Sequence, residues 1–134
     1  IVSTKTIADK LQIKPNTNIW LSHPEHLRLV EPLPAGVQMV AHLSDATLGL
    51  LFVDSAASTR ALCDVHRAAL TQPAILWIAY PKGNKVDINR DSLWKIMAEY
   101  GLRPNSQIAI DDTWSALRFR AYKEGEQPFI GGTS

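Results

Sequence analysis

Two apolar segments in the middle of the chain constrain its fold more than any other feature. The run TLGLLFVD (residues 47–54) is apolar along most of its length, and AILWIAYP (residues 74–81) repeats the pattern. Such runs are typical of strands covered on both faces, because a half-exposed strand alternates apolar and polar residues. The segment between them is long enough for a helical crossover, so the two strands are predicted to pair in parallel in an α/β fold.

The crossover itself carries the signals of a helix. Asp54 or Ser55 can cap its first turn, and Leu62, Val65 and Ala69 recur at helical spacing towards Pro73. These three apolar side chains are expected to face the sheet.

The remaining elements follow from similar patterns. Before the central strands we expect a short helix, a strand, a second helix opened by a proline and a second strand, in TKTIADKLQI (4–13), NIWLSHP (18–24), PEHLRLVEPL (24–33) and VQMVAHL (37–43). After them, Asn89 caps a helix that Gly101 ends, and IAI (108–110) and SALRFRAY (115–122) form two strands that bend at residues 111–113.

These elements predict one α/β domain over residues 1–122, with a polar, Gly-rich tail over 123–134. The predicted architecture is a three-layer, Rossmann-like, mostly parallel sheet with a C-terminal antiparallel hairpin. From residue 47 onwards the order of elements resembles the C-terminal half of a class I methyltransferase, so the fold is expected to be a truncated form of that domain. The first strand departs from the pattern, because it ends in His23-Pro24-Glu25 where a glycine-rich turn would approach a cofactor.

Charge and composition exclude several classes of function. With 14 basic and 13 acidic residues the net charge is +1, and no run of Lys or Arg forms a footprint for nucleic acid or for a membrane surface. No apolar run has the roughly 20 residues that a membrane-spanning helix needs. The single Cys63 is expected to be a small buried side chain in a reducing compartment, so the predicted location is the cytoplasm.

Several short segments are similar to the DUF3052 family, a group of small bacterial proteins of unknown function. The segments that carry the resemblance are YPKG (80–83), NRDSLW (89–94), GLRP (101–104) and above all DDTWSALRFR (111–120), with KLQIKPNTNI (10–19) and LPAGV (33–37) before them. The resemblance covers nearly the whole chain and implies a single small α/β domain. It implies no catalytic residue, cofactor or substrate.

Ligands of open α/β sheets bind beyond the carboxyl ends of the strands, and these ends supply His23, Asp54 or Ser55, and residues 82–84. Lys82 and Asn84 belong to a turn that either holds a phosphate or carboxylate or is simply a solvated reversal.

The last strand offers a second candidate. Arg118 and Arg120 share a face, and with Asp112 and Trp114 they either clamp an anion beside an aromatic wall or pair with the aspartates on the surface. His23 and His26 lack a third metal ligand close in sequence, so no metal site is predicted.

The function hypothesis that follows is a non-catalytic module that binds a small anionic metabolite or a protein partner. No catalytic set and no cofactor are assigned. The alternative is a small transferase-type enzyme that uses a nucleotide or S-adenosylmethionine. A third hypothesis is a homo-oligomer that pairs through the edge of the final hairpin.

Overall fold

A mixed sheet forms the centre of the computed structural model, which describes residues 6–31, 33–82 and 88–121. In these residues the sheet has six strands: β1 (Asn18–Leu21), β2 (Gln38–Met39), β3 (Leu48–Phe52), β4 (Ile75–Pro81), β5 (Leu102–Ala109) and β6 (Trp114–Ala121). Their spatial order is β2-β1-β3-β4-β6-β5. The first four are parallel, whereas β6 runs antiparallel to both β4 and β5. The predicted α/β class, the mostly parallel sheet and the closing hairpin are confirmed.

Helices cover both faces of this sheet. They comprise α1 (Ile7–Lys10), α2 (Ala56–Val65) and α3 (Arg90–Ala98), with 3-10 helices at Pro24–Leu29, Leu43–Asp45 and Arg67–Ala69. One core lies between the sheet and α2 and α3, and the other lies between the sheet and α1 with the 3-10 helix at 24–29. Among the described residues no helix has the length and apolarity to cross a bilayer.

Alternation along β3 divides its side chains between the two cores. Leu48, Leu50 and Phe52 pack on the α1 side, whereas Leu51 packs on the α2 side. Every residue of β3 is buried, as its apolar run predicts. The same alternation continues in β4, where the indole nitrogen of Trp77 donates a buried hydrogen bond of 2.9 Å to the carbonyl of Leu11 and so ties α1 to the sheet.

Capping residues set where α2 and α3 begin. Ser55 caps α2 by accepting from the Ser58 amide at 2.9 Å, and Asn89 caps α3 by accepting from the Ser92 amide at 3.0 Å. Gly101 follows α3 with φ +78°, a conformation that favours glycine, so the predicted stop is also confirmed.

The inward face of α2 differs from the prediction. Val65 was expected to face the sheet but is 76% exposed, and the buried residues of the helix are Thr59 and Cys63. Two residues rotate an α-helix by about 200°, so Val65 must point away once Cys63 points inward. Ala69 belongs to the separate 3-10 helix at 67–69 and does not continue the α2 face.

The expected strand at 37–43 is reduced to two residues. Its partner β1 has only four residues, and the Trp20 indole nitrogen donates to the Ala41 carbonyl at 3.3 Å. The chain then turns into a 3-10 helix that buries Leu43 above Gly49, where a Cβ atom would come within 2.5 Å of the leucine Cδ1.

Two further elements differ in type or length. The helix expected from Pro24 to just before Pro32 is a 3-10 helix over Pro24–Leu29, closed by the Val30 amide donating to the Leu27 carbonyl. The first strand of the hairpin starts at Leu102 rather than at residue 108, and it shifts register between Pro104 and Ser106. The sequence analysis missed the first part of this strand because it is polar, and an edge strand does not need to be apolar on both faces.

Candidate functional site

A crevice of about 240 Å³ opens at the carboxyl ends of β1, β3 and β4, on the α1 side of the sheet. Its lining residues come from five elements and the loops beside them, and are His23, His26, Phe52, Val53, Asp54, Ser58, Pro81 and Trp114. The chain leaves β1 towards β2 on one side and crosses back to β3 on the other. Such a reversal of strand order is the place where open α/β sheets bind ligands.

Aromatic rings form the wall of this crevice. The centroid of the His26 ring lies 4.6 Å from that of Phe52 and 5.4 Å from that of Trp114, and the Phe52 and Trp114 rings meet edge to face at 5.2 Å. His23 extends the wall at 6.3 Å from Phe52. Rings at these distances and tilts leave an apolar surface suited to a flat ligand.

One polar atom inside this wall has no partner. His26 Nδ1 is buried, and no described residue forms a hydrogen bond with it. Buried polar atoms are nearly always paired in native proteins, because desolvation without a hydrogen bond is costly. Because His26 itself lines the crevice, a ligand bound there is a candidate partner for this nitrogen.

His23 is held by its neighbour Ser22. The hydroxyl of Ser22 accepts from the Phe52 amide at 2.8 Å and lies 2.7 Å from His23 Nδ1. The hydroxyl keeps a second lone pair and its own proton, so it can pair with Nδ1 in either tautomer of the His23 ring. The Ser22 amide also donates to the Leu50 carbonyl at 3.1 Å. These bonds join β1 to β3 at the point where a glycine-rich turn would otherwise stand.

A tight turn presents Trp114 to the crevice. Asp111 Oδ1 accepts from the Thr113 amide at 2.8 Å and from the Trp114 amide at 2.7 Å, and the Lys82 amide donates to the Thr113 carbonyl at 2.8 Å. The bend expected at 111–113 is confirmed, and Asp111 acts in it as a backbone acceptor. Asp112 lies exposed in the same turn.

At the mouth of the crevice, Asp54 and Ser58 differ in what they can offer. Ser58 Oγ accepts from the amides of Asp54 and Ser55 and donates to the Ser55 carbonyl, so this hydroxyl is used in the cap of α2. The Asp54 side chain is exposed at the end of β3 and places a hydrogen-bond acceptor beside the aromatic wall.

The structure separates the residues that the sequence suggested as an anion clamp. Trp114 lies opposite Pro81, whereas Arg118 lies opposite Trp77, about 13 Å further along the strand by the rise of a β-strand. Arg118 Nη1 donates to Gln12 Oε1 at 3.3 Å. Arg120 is two residues beyond Arg118 and donates to the Ala121 carbonyl, so the two arginines do not converge on Trp114.

The other suggested residues have separate outcomes. Lys82 directly follows β4, at the carboxyl ends of the parallel strands, and Asn84 lies outside the described residues. His23 and Asp54 were expected at the carboxyl ends of strands and both line the crevice. His26 and Phe52 were not singled out as site residues. Their only sequence signals were the three-residue spacing from His23 and a place at the end of a strand.

Two kinds of chemistry find little support in this part of the chain. In residues 6–31, 33–82 and 88–121 no group of three or more His, Cys, Asp or Glu side chains is placed to hold a metal ion. Burial raises the pKa of Cys63 to about 12, so its thiol stays protonated at neutral pH and is not an activated nucleophile.

Comparison with known proteins identifies the fold. No protein-family model matches the chain, and no curated protein matches it. The chain is similar in structure to Sp1610 of Streptococcus pneumoniae, a candidate tRNA (m1A22) methyltransferase, with a TM-score of 0.57, 8% identity, and coverage of 90% of this chain and 70% of that one. It is also similar to a protein of the NADB-Rossmann superfamily from Streptococcus agalactiae, with a TM-score of 0.52, 8% identity, and coverage of 95% and 72%. At such identities the likeness shows the fold alone, and the fold is Rossmann-like.

Proposed function

We propose that the chain binds an adenosyl compound or a nucleotide in the crevice at the carboxyl ends of β1, β3 and β4, and that its activity is of the transferase type. The observation that carries the proposal is the buried, unpaired His26 Nδ1 within a wall of aromatic rings. A nucleobase has a flat face that stacks on aromatic side chains and an edge with hydrogen-bonding nitrogens. It would satisfy the ring nitrogen and cover the wall together.

The position of the crevice supports the same ligand class. It lies where the strand order reverses, which is the general ligand site of doubly wound sheets. The chain also shares its fold with a candidate methyltransferase, which favours a transferase over other Rossmann-like activities.

The residues fit one part of such a ligand and not the other. Phe52, Trp114 and His26 fit the ring, and Asp54 can accept from an amino or hydroxyl group beside it. The phosphate or amino-acid part of a cofactor has no glycine-rich turn to approach at β1, because Ser22-His23-Pro24 fills that place. We therefore assign ring recognition to this crevice and no bond-making step.

The test is a calorimetric titration of S-adenosylmethionine, S-adenosylhomocysteine, ATP and adenosine into the protein and into Trp114→Leu. Stacking on an aromatic side chain contributes about 1–3 kcal/mol per base, so this variant is expected to weaken binding by about fivefold to a hundredfold. Arg118→Ala is the matched control, because it changes a side chain of the same strand face far from the crevice. Equal affinity of Trp114→Leu and the wild type, or no binding of any of the four compounds at millimolar concentration, would overturn the proposal.

A second candidate is a non-catalytic module that binds an anionic metabolite or a protein partner. The closed gap between β1 and β3 favours it, since a cofactor-using enzyme of this fold normally needs that space. The DUF3052 family, which the sequence resembles, likewise has no assigned activity. If the partner is a second copy of the chain, the two copies could pair through their β5 edges. Binding of a ligand without any turnover of it would favour this candidate.

A further inference from the structure

A second cavity lies at the carboxyl end of β4, like the aromatic crevice, but on the opposite face of the sheet, beside α3. Its volume is about 260 Å³, and it is lined by the end of β4, the starts of α3 and β6 and a residue of β5, namely Tyr80, Pro81, Lys82, Asn89, Arg90, Gln107 and Ser115. Pro81 borders both this cavity and the aromatic crevice, so the sheet separates the two. Nothing in the proposed ring recognition uses this second cavity.

A buried polar pair forms its floor. Tyr80 is 5% exposed and Ser115 is 7% exposed, in a core that is otherwise almost wholly apolar. The Tyr80 hydroxyl oxygen accepts from Gln107 Nε2 at 3.0 Å and is also hydrogen-bonded by Ser115. Accepting from Gln107 leaves the Tyr80 hydroxyl its own proton, which it can donate either to Ser115 or to a bound anion. Burial raises the pKa of Tyr80, so that proton is present at neutral pH.

The walls of the cavity add further donors and positive charge. Lys82 contributes an ammonium group and Arg90 a guanidinium group. Asn89 uses its side-chain oxygen to cap α3, which leaves its amide nitrogen as a donor.

Among the described residues, Asp91 is an acidic neighbour of Arg90. It lies 3.8 Å from Arg90 Nε, and Arg90 also packs over the Trp94 ring at 5.1 Å. Among the described lining residues there is no carboxylate.

We propose that this second cavity binds an oxyanion, the phosphate or carboxylate group of a small metabolite. A cavity whose described lining residues combine two cations, a tyrosine hydroxyl and side-chain amides, and include no carboxylate, is complementary to negatively charged oxygens. The proposal keeps Lys82 as an anion-binding residue and places Arg90 and Tyr80 beside it, whereas the separately suggested Arg118 and Arg120 do not line this cavity. It stands independently of ligand binding in the aromatic crevice.

The experiment is a calorimetric titration of pyrophosphate, inorganic phosphate and succinate into the wild type, Lys82→Ala and Tyr80→Phe. A hydrogen bond to a charged group corresponds to about tenfold or more in affinity, so each variant is expected to weaken anion binding by about that factor. Binding of phosphates alone would assign the site to a phosphorylated metabolite, and binding of succinate as well would assign it to carboxylates in general.

Two controls separate a built site from general charge attraction. Lys95→Ala removes an exposed positive charge from α3 outside the cavity, and Trp114→Leu alters the aromatic crevice; both are expected to leave anion affinity unchanged. Tyr80→Phe removes buried hydrogen bonds, so its melting temperature is measured in parallel. Lys82→Ala tests the site without removing a buried hydrogen bond. No anion binding by the wild type, or equal losses in Lys82→Ala and Lys95→Ala, would overturn the proposal and would leave the test of the crevice intact.

Discussion

At the scale of single residues, the two parts of the His26 ring have different roles: its ring contacts stabilise the fold, whereas its Nδ1 is proposed to bind a ligand. Its ring packs well against Phe52 and Trp114, but its Nδ1 is buried without a partner among the described residues. Phenylalanine has nearly the same ring contacts and no nitrogen to desolvate.

His26→Phe is therefore expected to keep or raise the free energy of unfolding, by up to about 1 kcal/mol, because it removes an unsatisfied polar group. It is also expected to weaken binding of an adenosyl compound by up to about tenfold, since a neutral hydrogen bond contributes about 1 kcal/mol. Urea unfolding and calorimetry on one preparation measure both quantities. A fall in stability together with unchanged affinity would show that Nδ1 has a structural role.

The sequence singled out several residues of the crevice, among them His23, Asp54 and Trp114, and missed His26 and Phe52. His23, Asp54 and Lys82 could be placed because carboxyl ends of parallel strands share one edge. His26 could not be placed, since its position depends on how a 3-10 helix folds back over β3. The arginine hypothesis failed geometrically because residues on one strand face lie about 7 Å apart for every two positions, so Arg118 and Arg120 move steadily away from Trp114.

At the scale of elements, α1 is a helix of only four residues that depends on tertiary contacts. A helix this short is not stable alone, because nucleation costs more than its few hydrogen bonds return. Its own capping box, from Thr6 and Asp9, is on the surface. The buried bond from the Trp77 indole to the Leu11 carbonyl is what holds its end against the sheet.

We therefore expect Trp77→Phe to lower the free energy of unfolding by about 2–4 kcal/mol, through a cavity and an unsatisfied buried carbonyl. Trp20→Phe is the matched control. Trp20 also donates an indole hydrogen bond to a carbonyl, but that bond is longer, at 3.3 Å, and less buried. Chemical denaturation of both variants checks the contrast, and similar losses in the two would contradict the assigned role of the Leu11 bond.

Elements with strong local signals were predictable, and those decided by their neighbours were not. Local sequence determines the apolar runs of β3 and β4 and the caps of α2 and α3, because the residues concerned are close together in the chain. The short β2 and the long β5 depend on the length and edge of the strands beside them. The face of α2 was predicted wrongly because Val65 lies about 200° around the helix from the buried Cys63, and Ala69 belongs to a separate 3-10 helix.

At the scale of the whole molecule, three buried or hydrogen-bonded acids make the fold sensitive to alkali. Hydrogen bonding to Asp64 raises the pKa of Tyr100 to about 12, and burial raises the pKa of Cys63 to about 12 and also raises that of Tyr80. In each case the folded state retains a proton that the unfolded chain loses at lower pH. The stabilisation is complete below the unfolded pKa values and is lost as pH rises through the folded ones.

The urea midpoint is accordingly expected to fall between about pH 9 and pH 12, the interval between the unfolded and folded pKa values. Tyr100→Phe is expected to flatten the upper part of that fall, because it removes the proton shared with Asp64. Unfolding curves at a series of pH values measure the effect. A midpoint that stays constant to pH 12 in the wild type would contradict it.

The aromatic crevice joins side chains from the first quarter of the chain, His23 and His26, to Trp114 in the last quarter. During synthesis the ribosome releases these parts at different times, and domains fold as their segments emerge. Until the final hairpin pairs with β4, the histidines and Phe52 lack the Trp114 ring that completes the wall. A nascent chain can therefore form the parallel strands before its crevice is complete. A ligand that needs the complete crevice would bind only after the final hairpin has paired, so ligand binding would report that folding is finished.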